Sequence, residues 1–142
     1  MGDWDPLLRA AHEEAERFLA ATRRPRETQL DLLQRLLVAN RDTEFGDEHA
    51  FAGIDGIDAY RRNVPIRDYE GFRERIDRTA GGASSVLTAE PVAAFEITGG
   101  TSSGAKRIPV TARQIAAFRS AVLPWLARLA ERRPEAARGS AP

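Results

Sequence analysis

Val92-Ala93-Ala94-Phe95-Glu96-Ile97-Thr98-Gly99-Gly100-Thr101-Ser102-Ser103-Gly104-Ala105-Lys106-Arg107-Ile108-Pro109-Val110-Thr111 constrains the architecture more than any other segment. Val92 to Ile97 reads as a strand, with Phe95 and Ile97 on one face. Arg107 to Val110 is extended again, because Pro109 biases Ile108 away from helical geometry. The linking loop carries three glycines, Gly99, Gly100 and Gly104, which let the backbone turn tightly and bring its N–H groups close to a ligand. The hydroxyls of Thr98, Thr101, Ser102 and Ser103 add donors, and Lys106 supplies a compact positive charge suited to phosphate oxygens. These are the parts needed to hold a nucleotide triphosphate tail. A Walker A loop would place Lys directly after its last Gly, then Ser or Thr, then a helix. Here Ala105 intervenes, Arg107 replaces the hydroxyl residue, and a strand follows. A flexible Gly/Ser linker or a plain hairpin turn is the alternative reading of the same composition.

Helices flank this unit. After it, Thr111-Ala112-Arg113-Gln114 has the form of a capping box. Ile115, Phe118, Val122, Trp125 or Leu126, and Leu129 then recur at steps of three and four, predicting an inward-facing stripe on a helix that Pro124 could bend. Trp125 is expected in the core rather than as a stacking platform. Before it, Asp68 is placed to cap a helix running to about Thr79 with Phe72 and Ile76 inward, and Gly81-Gly82 stops it. Ile57 to Arg62 reads as a short helix, and Val64-Pro65-Ile66 as extended. The stretch from Asn40 to Gly53, with its glycines and acids, reads as a surface loop, and His49 as a solvated or capping loop histidine. Thr28 can cap a helix bearing Leu30, Leu33, Leu36 and Leu37 and ending near Asn40. Asp5 to about Thr22 forms a first helix with Pro6 in its opening turn. From Pro134 onward no periodicity remains.

Composition sets bounds on function. The 142 residues are 42% hydrophobic, yet 24 of those are Ala, while Leu, Ile, Val and Phe together number 31, so the core is thin for the length. Acids and bases balance at 21 each, so no net field steers the chain to nucleic acid or an anionic membrane. The absence of cysteine excludes disulfides and thiolate metal sites, and two separated histidines, His12 and His49, argue against a histidine-based metal site. No nucleophile–His–acid set is present, so no catalytic residue is assigned. The first residues lack a signal-peptide pattern and no apolar run is long enough to span a bilayer, so a cytoplasmic protein is expected. Of the 21 basic residues 20 are Arg, and the one Lys is Lys106.

With that loop in view, residues 28 to 126 resemble the N-terminal part of the Gretchen Hagen, or auxin-responsive promoter, family of acyl-acid amido synthetases, members of the adenylate-forming superfamily. The resemblance runs from Gln29 and the Leu-rich helix through Asn40-Arg41-Asp42-Thr43-Glu44-Phe45-Gly46, then His49, Phe51 and Ile54. It continues through Tyr60-Arg61, Val64-Pro65-Ile66-Arg67-Asp68-Tyr69-Glu70, Ile76 and Gly81. It ends with Leu87, Pro91-Val92, Phe95, the loop to Lys106, Ile108-Pro109 and Thr111. The loop alone resembles the whole superfamily, whereas the upstream series in order, with Ile108-Pro109 and Thr111 behind it, is much more specific.

The resemblance implies an α+β fold: the helix-rich N-terminal portion of an adenylate-forming large domain, with a strand–Gly/Ser loop–strand followed by a helix. It divides the chain into an N-terminal helix and linker (1–27), the truncated adenylate-forming portion (28–133) and an irregular tail (134–142). It implies that Thr98, Gly99, Gly100, Thr101, Ser102, Ser103, Gly104 and Lys106 bind ATP phosphates, with Mg2+ accompanying the nucleotide. The family adenylates a carboxylic acid and then forms an amide with an amino acid, so those two small molecules are the implied partners of the intact parent. One departure is Gly99, where the family usually carries Ser. Family members are far longer, so the chain is expected to be a truncated form or a piece of a larger protein, inactive as a ligase on its own. A non-catalytic helical interaction module derived from the family, and part of an acyl-CoA ligase, are the alternatives.

Overall fold

The computed structural model describes residues 4–99 and 105–135. Their order is α1 (Asp5–Thr22), α2 (Pro25–Asn40), α3 (Glu44–Glu48), a 3₁₀ turn at Phe51–Gly53, α4 (Ile57–Asn63), α5 (Glu70–Ala80), β1 (Val92–Thr98), β2 (Lys106–Thr111) and α6 (Ala112–Arg132). The helix-rich α+β class is as expected. The chain divides into two units, one from Arg26 to Ala112, the other joining the stretch up to Pro25 with the stretch from Arg113 onward. The irregular tail expected over 134–142 lies outside the described residues from 136 on.

α2, which apart from its first residue belongs to the 26–112 unit, starts at Pro25, three residues before the expected Thr28 cap. Proline suits a first helical turn because its missing N–H has no intrahelical partner there. Leu37 is buried while Leu36 of the same stripe is exposed. Asn40 ends the helix in two directions: its Nδ2 donates to the Leu36 carbonyl at 2.9 Å and its Oδ1 accepts the Ala89 amide at 3.1 Å.

The expected surface loop from Asn40 to Gly53 is instead a folded knot. Thr43 is 1% exposed, and its hydroxyl accepts the Gly46 amide at 2.9 Å, capping α3. Two further orphan donors of this helix start are satisfied by a distant irregular segment. The Glu44 amide donates to the Ser85 carbonyl at 2.9 Å and the Phe45 amide to the Val86 carbonyl at 3.0 Å. Leu37, Ile54, Ile76 and Val86 are the buried larger apolar side chains of this unit among the described residues. Asp68 accepts the Gly71 amide at 3.1 Å, the capping contact anticipated for α5.

β1 and β2 pair antiparallel, with Thr98 opposite Lys106, Phe95 opposite Pro109 and Val92 opposite Thr111, and one irregularity between Val92 and Ala94. Phe95 and Ile97 share a face by alternation, but Ile97 is exposed. α5 packs against β2.

In the other unit, α1 and α6 are joined through His12, whose Nε2 lies 3.6 Å from the Glu131 carboxylate. Ala11 and Ala127 are both fully buried. α6 runs through Pro124 as one helix. Its expected core stripe is corrected: Ile115, Phe118, Val122 and Trp125 are exposed, Phe118 by 71% and Trp125 by 64%. Periodicity identifies an apolar face, but burial also requires something to cover it. Among the described residues no helix is long and apolar enough to cross a membrane.

Candidate functional site

The strand pair places the two ends of the Gly/Ser loop against each other. Thr98 closes β1 and Lys106 opens β2, and as directly opposed residues their side chains share a face. Gly99 follows on the exposed side, where an added Cβ would meet nothing within 4 Å. Gly100, Thr101, Ser102, Ser103 and Gly104 lie outside the described residues.

Lys106 is seated on Tyr69. Its ammonium lies 5.5 Å from the ring centroid, and the hydroxyl of the same ring accepts the Arg107 amide at 3.0 Å. The guanidinium of Arg73 also approaches that ring, at 5.1 Å. Arg73 is committed elsewhere by charge, since its Nε and one terminal nitrogen donate to Glu70 at 2.6 and 2.5 Å. Those hydrogen bonds hold the Glu70 carboxyl below its ordinary range, with Lys106 adding a smaller Coulombic share. Arg107 lies 3.8 Å from Asp77. Tyr69, Arg73, Asp77, Ala105 and Arg107 line an open cleft of about 380 Å³. Around it Arg73 and Arg107 each have a carboxylate, whereas Lys106 has no ion pair among the described residues.

No local pattern in the sequence ties Tyr69, Glu70, Arg73 and Asp77 to Lys106. The available signal was Arg67-Asp68-Tyr69-Glu70, an aromatic and an acid placed right at a helix start.

The upstream family series has a different job. The Arg67 and Arg75 guanidinium groups each lie 5.8 Å from the Phe45 ring centroid, and the ring packs against Phe51, Phe72 and His49. Glu48 accepts from Arg67 at 3.0 Å and from Arg75, and Glu44 accepts twice from Arg78, at 2.8 and 2.6 Å. Both carboxyls are held below their ordinary range, Glu48 chiefly by the Arg67 hydrogen bond and Glu44 by that of Arg78. His49 is not a solvated loop residue: it is 6% exposed, with Nδ1 2.8 Å from the Asn63 carbonyl. A carbonyl only accepts, so Nδ1 carries the hydrogen. Nε2 is buried without a hydrogen bond, 3.5 Å from the Glu48 carboxylate. These contacts tie α3 to Arg67 and to α5, and among the described residues no group of three His, Cys, Asp or Glu could hold a metal.

Residues 14–140 match the model of the GH3 family N-terminal domain. The chain is 31% identical over 103 residues to the probable indole-3-acetic acid-amido synthetase GH3.1 of Arabidopsis thaliana, covering 71% of this chain and 18% of that protein. It is 32% identical over 93 residues to the jasmonoyl–L-amino acid synthetase GH3.3 of Oryza sativa subsp. japonica, covering 65% of this chain and 20% of that one. A solved structure of the AtGH3.15 acyl acid amido synthetase in complex with 2,4-DB superposes with a TM-score of 0.60 at 30% identity, over 70% of this chain and 18% of the other. The chain thus spans about a fifth of the length of the relatives it matches. Its helices, its strand pair and the motif series that supports them make this chain a member of the GH3 family, corresponding to the N-terminal domain.

Proposed function

We propose that this chain supplies the ATP-phosphate-binding part of an acyl-acid amido synthetase, which activates a carboxylic acid with ATP and joins it to an amino acid. The observation that carries this reading is the seat of Lys106: an ammonium without a carboxylate partner among the described residues, held at the mouth of the Gly/Ser loop by the Thr98–Lys106 pairing. The relatives from Arabidopsis thaliana and Oryza sativa are named as synthetases of this class. Thr98, Gly99, Gly100, Thr101, Ser102, Ser103 and Gly104 would offer backbone N–H and hydroxyl donors to phosphate oxygens, and Lys106 the charge. Mg2+ would arrive with the nucleotide. The work of the loop is positioning and charge stabilisation, with no proton transferred by these residues. The carboxylic acid and amino acid are met by parts of the fold beyond this fifth of the family length, so residues 1–142 bind phosphate without catalysing ligation. The protein acts in the cytoplasm on small molecules, with neither nucleic acid nor membrane as partner.

Titration of the chain with Mg2+–ATP and with tripolyphosphate tests this. Both bind with similar affinity, because phosphates carry the contact. Lys106→Ala weakens both by roughly tenfold or more, the cost of a charged hydrogen bond. Carboxylate-dependent pyrophosphate exchange stays at background. Equal binding by Lys106→Ala would remove the loop from the reading, and exchange above background would remove the inactivity.

A further inference from the structure

We propose that Tyr69 is a positioning residue for the phosphate loop: its ring holds the Lys106 ammonium and its hydroxyl fixes the backbone where the loop re-enters the sheet. This rests on the phosphate-binding reading above and adds the residue that sets its geometry. Two independent contacts from one side chain reach consecutive residues: the ring to Lys106 at 5.5 Å, and the hydroxyl to the Arg107 amide at 3.0 Å. A lysine side chain loses much rotamer freedom when it grips a phosphate, so an ammonium already held near the loop mouth gives up less on binding. Tyr69 is itself fixed, standing directly before α5, where Asp68 caps the helix, and flanked by the Arg73–Glu70 pair. Asp77 and Arg107, the other charges on this cleft, lie 3.8 Å from each other. Lys106 therefore keeps the aromatic face as its seat while remaining available to an anion.

The composition makes this directly measurable. Lys106 is the one lysine in the sequence, so reductive 13C-methylation places a reporter on Lys106 and on the terminal amine alone, and methylated lysine keeps its charge. In the full 142-residue chain the Lys106 methyl resonance is expected upfield through the Tyr69 ring current. It stays there in Tyr69→Phe and moves to the position of a solvated lysine in Tyr69→Leu. Exchange of the Arg107 amide quickens in both variants, since both lose the hydroxyl. Tripolyphosphate affinity falls roughly two- to fivefold in Tyr69→Leu, the range of an exposed cation–π contact, and less in Tyr69→Phe. Tyr69→Met serves as the ringless variant if Tyr69→Leu does not fold.

A Lys106 resonance indifferent to loss of the ring, an Arg107 amide indifferent to loss of the hydroxyl, or tighter phosphate binding without the ring would each overturn the proposal. Failure of the underlying phosphate reading has a different signature: tripolyphosphate moves the Lys106 resonance in no variant, while the ring-dependent shift persists.

Discussion

The carbonyl oxygen of Asn40 lies 2.1 Å from where a Cβ on Gly46 would stand. No side chain tolerates that approach, and the crowding atom is backbone, so relief requires the end of α2 or the start of α3 to move. Gly46→Ala is therefore expected to destabilise the chain by about 1–3 kcal/mol, the range for overpacking a tight site. Urea unfolding of the variant measures it; an unchanged midpoint would mean that α3 is not locked to Asn40.

His49 ties α3 to the end of α4 through the Asn63 carbonyl. Replacing it by Leu fills similar space but leaves that carbonyl unpaired, at a cost of about 1–3 kcal/mol. His49→Asn retains a donor and should lose less. Equal midpoints for the Leu and Asn variants would assign the loss to ring packing against Phe45 instead.

Sequence patterning locates α1, α4, α5, α6 and the strand pair to within a residue or two, because each carries a local signal: Pro6 in a first turn, Asp68 before a helix, Pro109 in an extended run. α3 escaped because Gly46 and the acids around it look like loop chemistry. The overlooked signal was Thr43 as a cap ahead of Glu44, a helix start that acidic first-turn residues favour. The burial of His49 has no local signature, since the carbonyl it donates to belongs to Asn63, 14 positions on. The stripe on α6 was visible as a stripe, but its exposure depends on what else is present. The tie between Tyr69 and Lys106 spans 37 positions and has no local signature.

Exposure and burial of similar apolar side chains give opposed expectations. Phe118 lies on the open face of α6, so Phe118→Glu should shift stability by no more than about 0.5 kcal/mol. Leu37 is buried, and Leu37→Ala should cost about 2–5 kcal/mol. Thermal and urea unfolding of the two variants compare them directly. A large loss in Phe118→Glu would show that this face is covered in solution.

Glu44, Glu48 and Glu70 each accept hydrogen bonds from arginine that hold their carboxyls below the ordinary value of 4.5. The unfolded chain thus takes up protons at a higher pH than the folded one. Their contribution is fully present above about pH 4.5 and is lost as pH falls through the lower folded values. Urea midpoints measured from pH 7 down to 3 should decline at the acid end, and Glu48→Gln should flatten that decline. A Glu48→Gln profile parallel to that of the unaltered chain would exclude this carboxyl as a source of the acid sensitivity.

The link from Asn40 to Ala89 crosses 49 positions, and those from Glu44 and Phe45 reach almost as far. In order of assembly, this sets two clocks. Pairing of β1 with β2 is local and forms on a microsecond scale, whereas the contacts of Asn40, Glu44 and Phe45 with Ser85, Val86 and Ala89 must first close a long loop of chain. In pulse-labelled refolding, the Glu44, Phe45 and Ala89 amides should therefore gain protection together and in a single late step. Until that step the strand pair stands without the contacts that later support it.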